Sequence, residues 1–237
     1  MNDTKKDISE YEIYLSVPTL LSLQKPAEKR THAEELLFQV VHQVEELWMK
    51  LALDDLDRAV AKMGADDVAS ALPLMHRVCE TLRLMSHQFR LIETMTPHAY
   101  LAVRRGLGQG SGQESPGFNG ILRKAPEVGK AMHGVFERAK TTMLAVHRAP
   151  EEHPLLLQLT EAMLELDEQF MHFRYLHVQL VKRIIGAGTP SLKGKASDLL
   201  AEGMKHRFFP ALWEMRDELF AEWANAHPHG ADYGYHG

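Results

Sequence analysis

The sequence predicts an all-α fold, a bundle of long helices with short satellite helices, and three observations carry that prediction. Apolar residues recur at three- and four-residue steps over most of the 237 positions, the period of an amphipathic helix. No run of Val, Ile and Thr alternates with polar residues between turn signals, as a half-buried strand would require. Gly, Pro and helix-capping residues punctuate the chain at intervals of a long helix rather than a strand.

Element by element, residues 1–30 read as an extended N-terminal segment. A first long helix follows from about Thr31 to Gly64, with Thr31 and Glu34 spaced as a capping box and Gly64 as its stop. A second runs from about Ala65 to Met95, kinked or interrupted at Pro73. A short helix carries Tyr100 and Arg104. Between Arg105 and Gly120, 6 of 16 residues are glycine, which marks a functional loop or lid. Further helices are expected from about Pro126 to Arg148, from His153 to about Gly186, and from Ser197 to Ala226 with a division at Pro210. Residues 227–237, with His227, His229 and His236 among glycines, form a flexible tail. The whole is read as a single domain.

Composition narrows the function classes. The apolar share of 45% and charged share of 25% are those of a globular chain. A net charge of −5 with scattered basic residues argues against a nucleic-acid partner. The N-terminus lacks the apolar core of a signal peptide, and no apolar run is long enough for a membrane span. The single cysteine, Cys79, lies in an apolar helical pattern and reads as a core residue. These features place the protein in the cytoplasm. No His-Glu-x-x-His, Cys-x-x-Cys, EF-hand or Gly-x-Ser-x-Gly motif occurs. The Gly-rich loop follows no strand and precedes no Gly-Lys-Ser/Thr, so it is not a phosphate loop.

The residues that remain converge on one chemistry. Phe38 and His42 stand one turn apart on a mostly apolar helix face, which suits either a core histidine or a base near working pH. His177 sits on a helix among Phe170, Phe173, Leu180 and Val181, the usual setting of a proximal haem ligand, while His172 falls on another face. Arg174 and Arg183 are available to the carboxylates of such a cofactor or to solvent. Tyr100 and Arg104 are again one turn apart, and an arginine fork beside a phenol suits a carboxylate. Backbone amides and Ser111 of the adjoining loop are placed to close over that ligand. The inventory is that of a haem pocket for a zwitterionic aromatic substrate.

The chain resembles the tryptophan 2,3-dioxygenase family. The resemblance rests on Tyr11-Glu12-Ile13-Tyr14-Leu15, on Phe38 to Lys50, on Glu93 to Arg104 and on Leu107 to Gly112. It continues at Phe173-Arg174 with His177, at Arg183-Ile184-Ile185-Gly186 and, more weakly, at Phe208 to Trp213. The string Leu37-Phe38-x-x-x-His42-Gln43-x-x-Glu46-Leu47-Trp48 is its most specific part. The resemblance implies haem b with His177 as proximal iron ligand, and His42 as the distal histidine facing the indole N–H. Phe38 would pack on the indole, Tyr100 and Arg104 would take the substrate carboxylate, and Ser111 would lie near the haem. Thr189 falls where the family binds the substrate ammonium. Tyr11, Tyr14 and Leu15 match the segment that enters a neighbouring subunit's pocket, which implies a homo-oligomer, a tetramer in the family. The implied reaction is O2-dependent opening of the indole C2–C3 bond of L-tryptophan, or of a tryptophan derivative, to an N-formylkynurenine. Stopping after one oxygen transfer would leave an oxindole, a monooxygenase outcome. A haem-binding helical protein without catalysis is the reading from a different class. The chain departs from the family at Gly188-Thr189-Pro190-Ser191-Leu192-Lys193-Gly194, at Gln113-Glu114, and in a shorter stretch before His177.

Overall fold

A computed structural model describes residues 8–108, 110, 112–186 and 206–227. Every regular element among them is helical, so the all-α prediction holds. The elements are α1 (Glu10–Tyr14), α2 (Val17–Leu20), α3 (Glu35–Gly64), α4 (Val68–Ile92), α5 (Pro97–Gly106), α6 (Pro116–Arg138), α7 (Met143–Arg148), α8 (Pro154–Ile185) and α9 (Pro210–Ala226), with single 3₁₀ turns at Ala27–Lys29 and Gly112–Glu114.

Four long helices build the bundle. α3 packs on α4 and α6, and α4 packs on α8. The fourth side closes where Phe118 of α6 stacks on Phe170 of α8, with ring centroids 5.2 Å apart. The core is aliphatic and Met-rich along α3 and α4, through Leu56, Met63, Met75, Leu82 and Met85, and turns aromatic towards α8 at Phe89, Phe170 and Phe173. Cys79 is fully buried there, and burial raises its thiol pKa to about 12, so it behaves as an apolar core residue.

Several boundaries differ from the sequence expectation, each for a local reason. Residues 1–30 were expected to be extended, but α1 and α2 form within them. Ser9 and Glu12 make a reciprocal capping box that nucleates α1. The box expected at Thr31–Glu34 is absent. The Thr31 N–H and hydroxyl instead donate to the Glu35 carboxylate, and α3 begins at Glu35. α4 runs through Pro73, because the apolar neighbours Leu72 and Leu74 are buried and their packing outweighs one missing backbone bond. α6 starts ten residues before Pro126, since Ser115 caps it by accepting from the Phe118 N–H and Pro116 takes the first turn. It then ends at Arg138, where Lys140 adopts a left-handed φ of 51° and Thr142 caps a separate α7. The return from α8 to α9 is fixed by one buried carboxylate. Asp167 accepts from the Phe208 and Phe209 N–H groups and from the Trp213 indole N–H at 2.9, 3.3 and 2.9 Å. His227 closes α9 by stacking on Trp223, and the rest of the expected tail lies outside the described residues, as does the 197–205 part of the last helix.

Candidate functional site

The site is assembled at one end of the bundle from α3, α5, α8 and the end of α4. On α3, one turn of rise places Phe38 directly over His42, and the rings stack with centroids 4.0 Å apart. The His42 Nδ1 lies 2.7 Å from the Phe38 carbonyl oxygen. A carbonyl only accepts, so Nδ1 carries the proton and donates, which leaves Nε2 as an unprotonated acceptor in the neutral ring. His42 keeps an exposed ring surface but is surrounded by enough protein that desolvation lowers its pKa, against opposing pulls from Phe38 and Glu46. An exposed ring deep among protein atoms is the mark of a cleft wall.

Across from it, α8 presents His177. Its ring lies 6.0 Å from Phe89, which in turn lies 5.0 Å from Phe173. Desolvation among these groups pushes the imidazole down to about 4, with a smaller lowering from His42 whenever that ring is protonated. His177 is therefore neutral at working pH with a lone pair to offer. His172 is exposed on another face of α8, as its spacing predicts.

α5 brings in the charged end. Tyr100 is half-buried 6.2 Å from Phe38, and burial raises its phenol pKa while the nearby Arg104 guanidinium lowers it. Arg104 lines an open depression of about 420 Å³ together with Leu101, Arg105 and Gly108. A knot the sequence did not disclose ties the segment before α3 to its first turn, beside the end of α5. The buried Glu35 carboxylate accepts from Lys25 Nζ at 2.5 Å and from Thr31 N at 2.6 Å. Gly106 of α5 comes so close that a Cβ there would sit 3.3 Å from Glu35 Oε1. Glu46 does the same for α6: its carboxylate accepts from the Ser115 hydroxyl at 2.5 Å and the Gly117 N–H at 3.0 Å. A Cβ on Gly117 would meet Met49 Cβ at 2.6 Å, so two of the glycines assigned to the loop mark close helix approaches instead.

The structure thus brings Phe38, His42, Tyr100, Arg104 and His177 to one place. Ser111 and Thr189 lie outside the described residues. Tyr11, Tyr14 and Leu15 are 70%, 87% and 44% exposed on α1 and just after it, and take no part in this chain's own cleft. Arg174 is not free for a cofactor carboxylate: it is buried, donates to the His206 carbonyl and lies over the Phe170 ring. Arg183 is exposed.

A family model described as tryptophan 2,3-dioxygenase matches residues 1–124, which hold the α3 and α5 halves of the site. The chain belongs to the tryptophan 2,3-dioxygenase family. A curated tryptophan 2,3-dioxygenase from Caulobacter vibrioides is 30% identical over 260 aligned positions, covering 88% of this chain and 98% of its own. One from an Arthrobacter species is 29% identical and covers 92% and 95%. One from Shewanella woodyi is 27% identical and covers 92% of each. The Arthrobacter alignment spans 272 positions, more than this chain's 237, so the chain lacks segments that this relative carries.

The donor set fits a haem. A porphyrin iron carries its own equatorial nitrogens and asks the protein for one neutral imidazole in an apolar setting, which His177 offers. Among the described residues no cluster of three His, Cys, Asp or Glu side chains is arranged to hold a bare metal ion.

Proposed function

We propose that this chain is a haem-dependent oxygenase acting on L-tryptophan or a tryptophan derivative, opening the indole C2–C3 bond to give an N-formylkynurenine. Two imidazoles held neutral by desolvation, one on α3 and one on α8, carry this reading, because one would serve as the iron ligand and the other as an acceptor. Haem b, held by His177, would supply O2 binding and oxygen transfer.

The remaining work belongs to the chain's own residues. The His42 tautomer fixed by the Phe38 carbonyl leaves Nε2 to accept a hydrogen bond from the indole N–H. That bond orients the ring without a charge on the imidazole. The Phe38 ring, stacked on His42 and close to Tyr100, walls one side of the indole. Arg104, which pairs with no carboxylate among the described residues, grips the substrate carboxylate, and Tyr100 donates beside it. Ser111 closes near the haem and Thr189 takes the ammonium. Orientation of this kind supplies much of an enzyme's rate advantage, because the reacting bond is held where transfer occurs. Tyr11, Tyr14 and Leu15 reach a neighbouring subunit's cleft, which makes the working form a homo-oligomer, a tetramer, of single-domain subunits in the cytoplasm. Among the described residues no helix is long and apolar enough to cross a membrane.

Ring opening is preferred to an oxindole-forming monooxygenase because the pocket residues Phe38, His42, Tyr100 and Arg104 are retained. The altered stretch Gly188 to Gly194 is the feature that favours the one-oxygen outcome. A purely haem-binding role has no use for the Tyr100–Arg104 clamp.

Two variants test the assignment. His177→Ala abolishes stable haem incorporation, read as loss of the Soret band, and a normal haem content in that variant refutes the ligand. Arg104→Ala retains haem but weakens tryptophan binding about 10- to 100-fold, the value of a charge-assisted hydrogen bond pair. Unchanged affinity in optical titration counts against the clamp.

A further inference from the structure

Glu45 is the ionisable side chain of the Phe38–His42 stripe on α3 that the mechanism above does not use. Phe38, His42 and Glu45 follow at four- and three-residue steps, so they share one helix face. Glu45 is only 8% exposed, and its Oε1 is buried without a hydrogen-bond partner. No ion pair reaches it among the described residues, although Lys and Arg partners serve Glu35, Asp55 and Glu165 nearby in the bundle. Burial, then the adjacent Glu46, raises its pKa to about 8, so the carboxyl is neutral at working pH. A buried polar group left unpaired is costly, and such groups in folded proteins find a partner in a ligand or water.

The stripe also has a direction. Tyr100 adjoins Phe38 at its start, His42 comes one turn on, and Glu45 lies about 4.5 Å further along the axis. An indole amino acid held by its carboxylate at Tyr100 and Arg104, and by its ring N–H at His42, would set its benzo ring beside the stretch of α3 that carries Glu45. An unsubstituted benzo edge offers nothing to hydrogen-bond. A neutral carboxyl both donates and accepts, which suits a hydroxyl and suits neither a cation nor an anion as well.

We propose that Glu45 is a specificity-determining residue that hydrogen-bonds a hydroxyl carried on the benzo ring of the indole amino acid, so that the cleft prefers ring-hydroxylated tryptophan to tryptophan itself. This rests on the substrate class proposed above. The test is an optical titration of the ferric, haem-loaded protein with L-tryptophan and with its 5-, 6- and 7-hydroxy derivatives, following the Soret band. In the wild type at least one hydroxylated ligand binds about tenfold tighter than tryptophan, the value of one good hydrogen bond. Glu45→Gln, which still donates and accepts, keeps most of that ratio, and Glu45→Leu brings it to about one. The ratio is the readout because a merely structural change at residue 45 shifts both affinities together. A wild type without the preference, or a leucine variant that retains it, overturns the proposal. Failure of the underlying substrate assignment looks different: neither tryptophan nor any derivative then moves the Soret band.

Discussion

At the scale of the residue, the site works through two imidazoles kept neutral by desolvation. His177 is half-buried among aromatic rings, and in His42 desolvation outweighs the pulls of the Phe38 carbonyl and of Glu46, with that carbonyl choosing the tautomer. The positions of both on apolar helix faces were legible from spacing alone, since the helical period fixes which residues share a face. The tautomer was not, because it depends on a ring torsion. Nor was the isolation of Glu45, which depends on what the other helices place opposite it. That isolation has a consequence for stability. A carboxyl whose pKa rises from 4.5 to about 8 on folding binds its proton more tightly in the folded state. Wild-type stability therefore falls as pH rises from about 4.5 to about 8, and levels off above. Glu45→Gln lacks this dependence, so its melting temperature gains on the wild type across that window, while the histidine contributions cancel in the comparison. A difference that stays constant from pH 5 to 8 contradicts the burial of an unpaired acid.

At the scale of the element, two carboxylates on α3, the buried Glu35 and the half-buried Glu46, hold neighbouring segments. Glu35 fixes the segment before α3, and the end of α5 packs closely beside it at Gly106. Glu46 ties the start of α6, through Ser115 and Gly117. The long helices were readable in the sequence because each carries a continuous apolar stripe. The start of α6 was misplaced because Pro126 looked like a first-turn residue, whereas Ser115-Pro116 supplies the actual cap. The glycines around it resembled a loop, and only the distance to Met49 shows that Gly117 serves a helix contact. Ser115→Ala removes both the cap and the Glu46 partner. It should cost about 1–2 kcal/mol in urea denaturation, mostly through loss of the cap, with haem binding retained. A neutral effect would mean that α6 is held by its apolar face alone.

At the scale of the whole molecule, the bundle leaves its N-terminal arm uncovered. Ile8, Tyr11, Ile13, Tyr14, Leu21 and Leu23 are all more than half exposed, a concentration of apolar surface that a solitary folded chain seldom tolerates. The arm is nonetheless moored, through Gln24 to Gln43 and Lys25 to Gln39 on α3, one turn from the site. Its sequence announced the exposed aromatic residues but not their helical form, because a capping box of two residues is a weak signal beside a Pro-containing, short apolar run. If the arm makes the subunit contacts of the proposed homo-oligomer, deleting residues 1–23 removes α1 and α2, leaves the melting cooperativity of the bundle intact and yields monomers, as read by sedimentation. An undiminished oligomer in that deletion would place the subunit contacts elsewhere.

The most direct test of the central claim is mass spectrometry of the product formed when ferrous, haem-loaded protein meets L-tryptophan under isotopically labelled O2. The expected product has the mass of N-formylkynurenine and carries both labelled oxygen atoms. A product carrying one labelled oxygen, with the indole C2–C3 bond intact, would contradict ring opening and make this family member a monooxygenase.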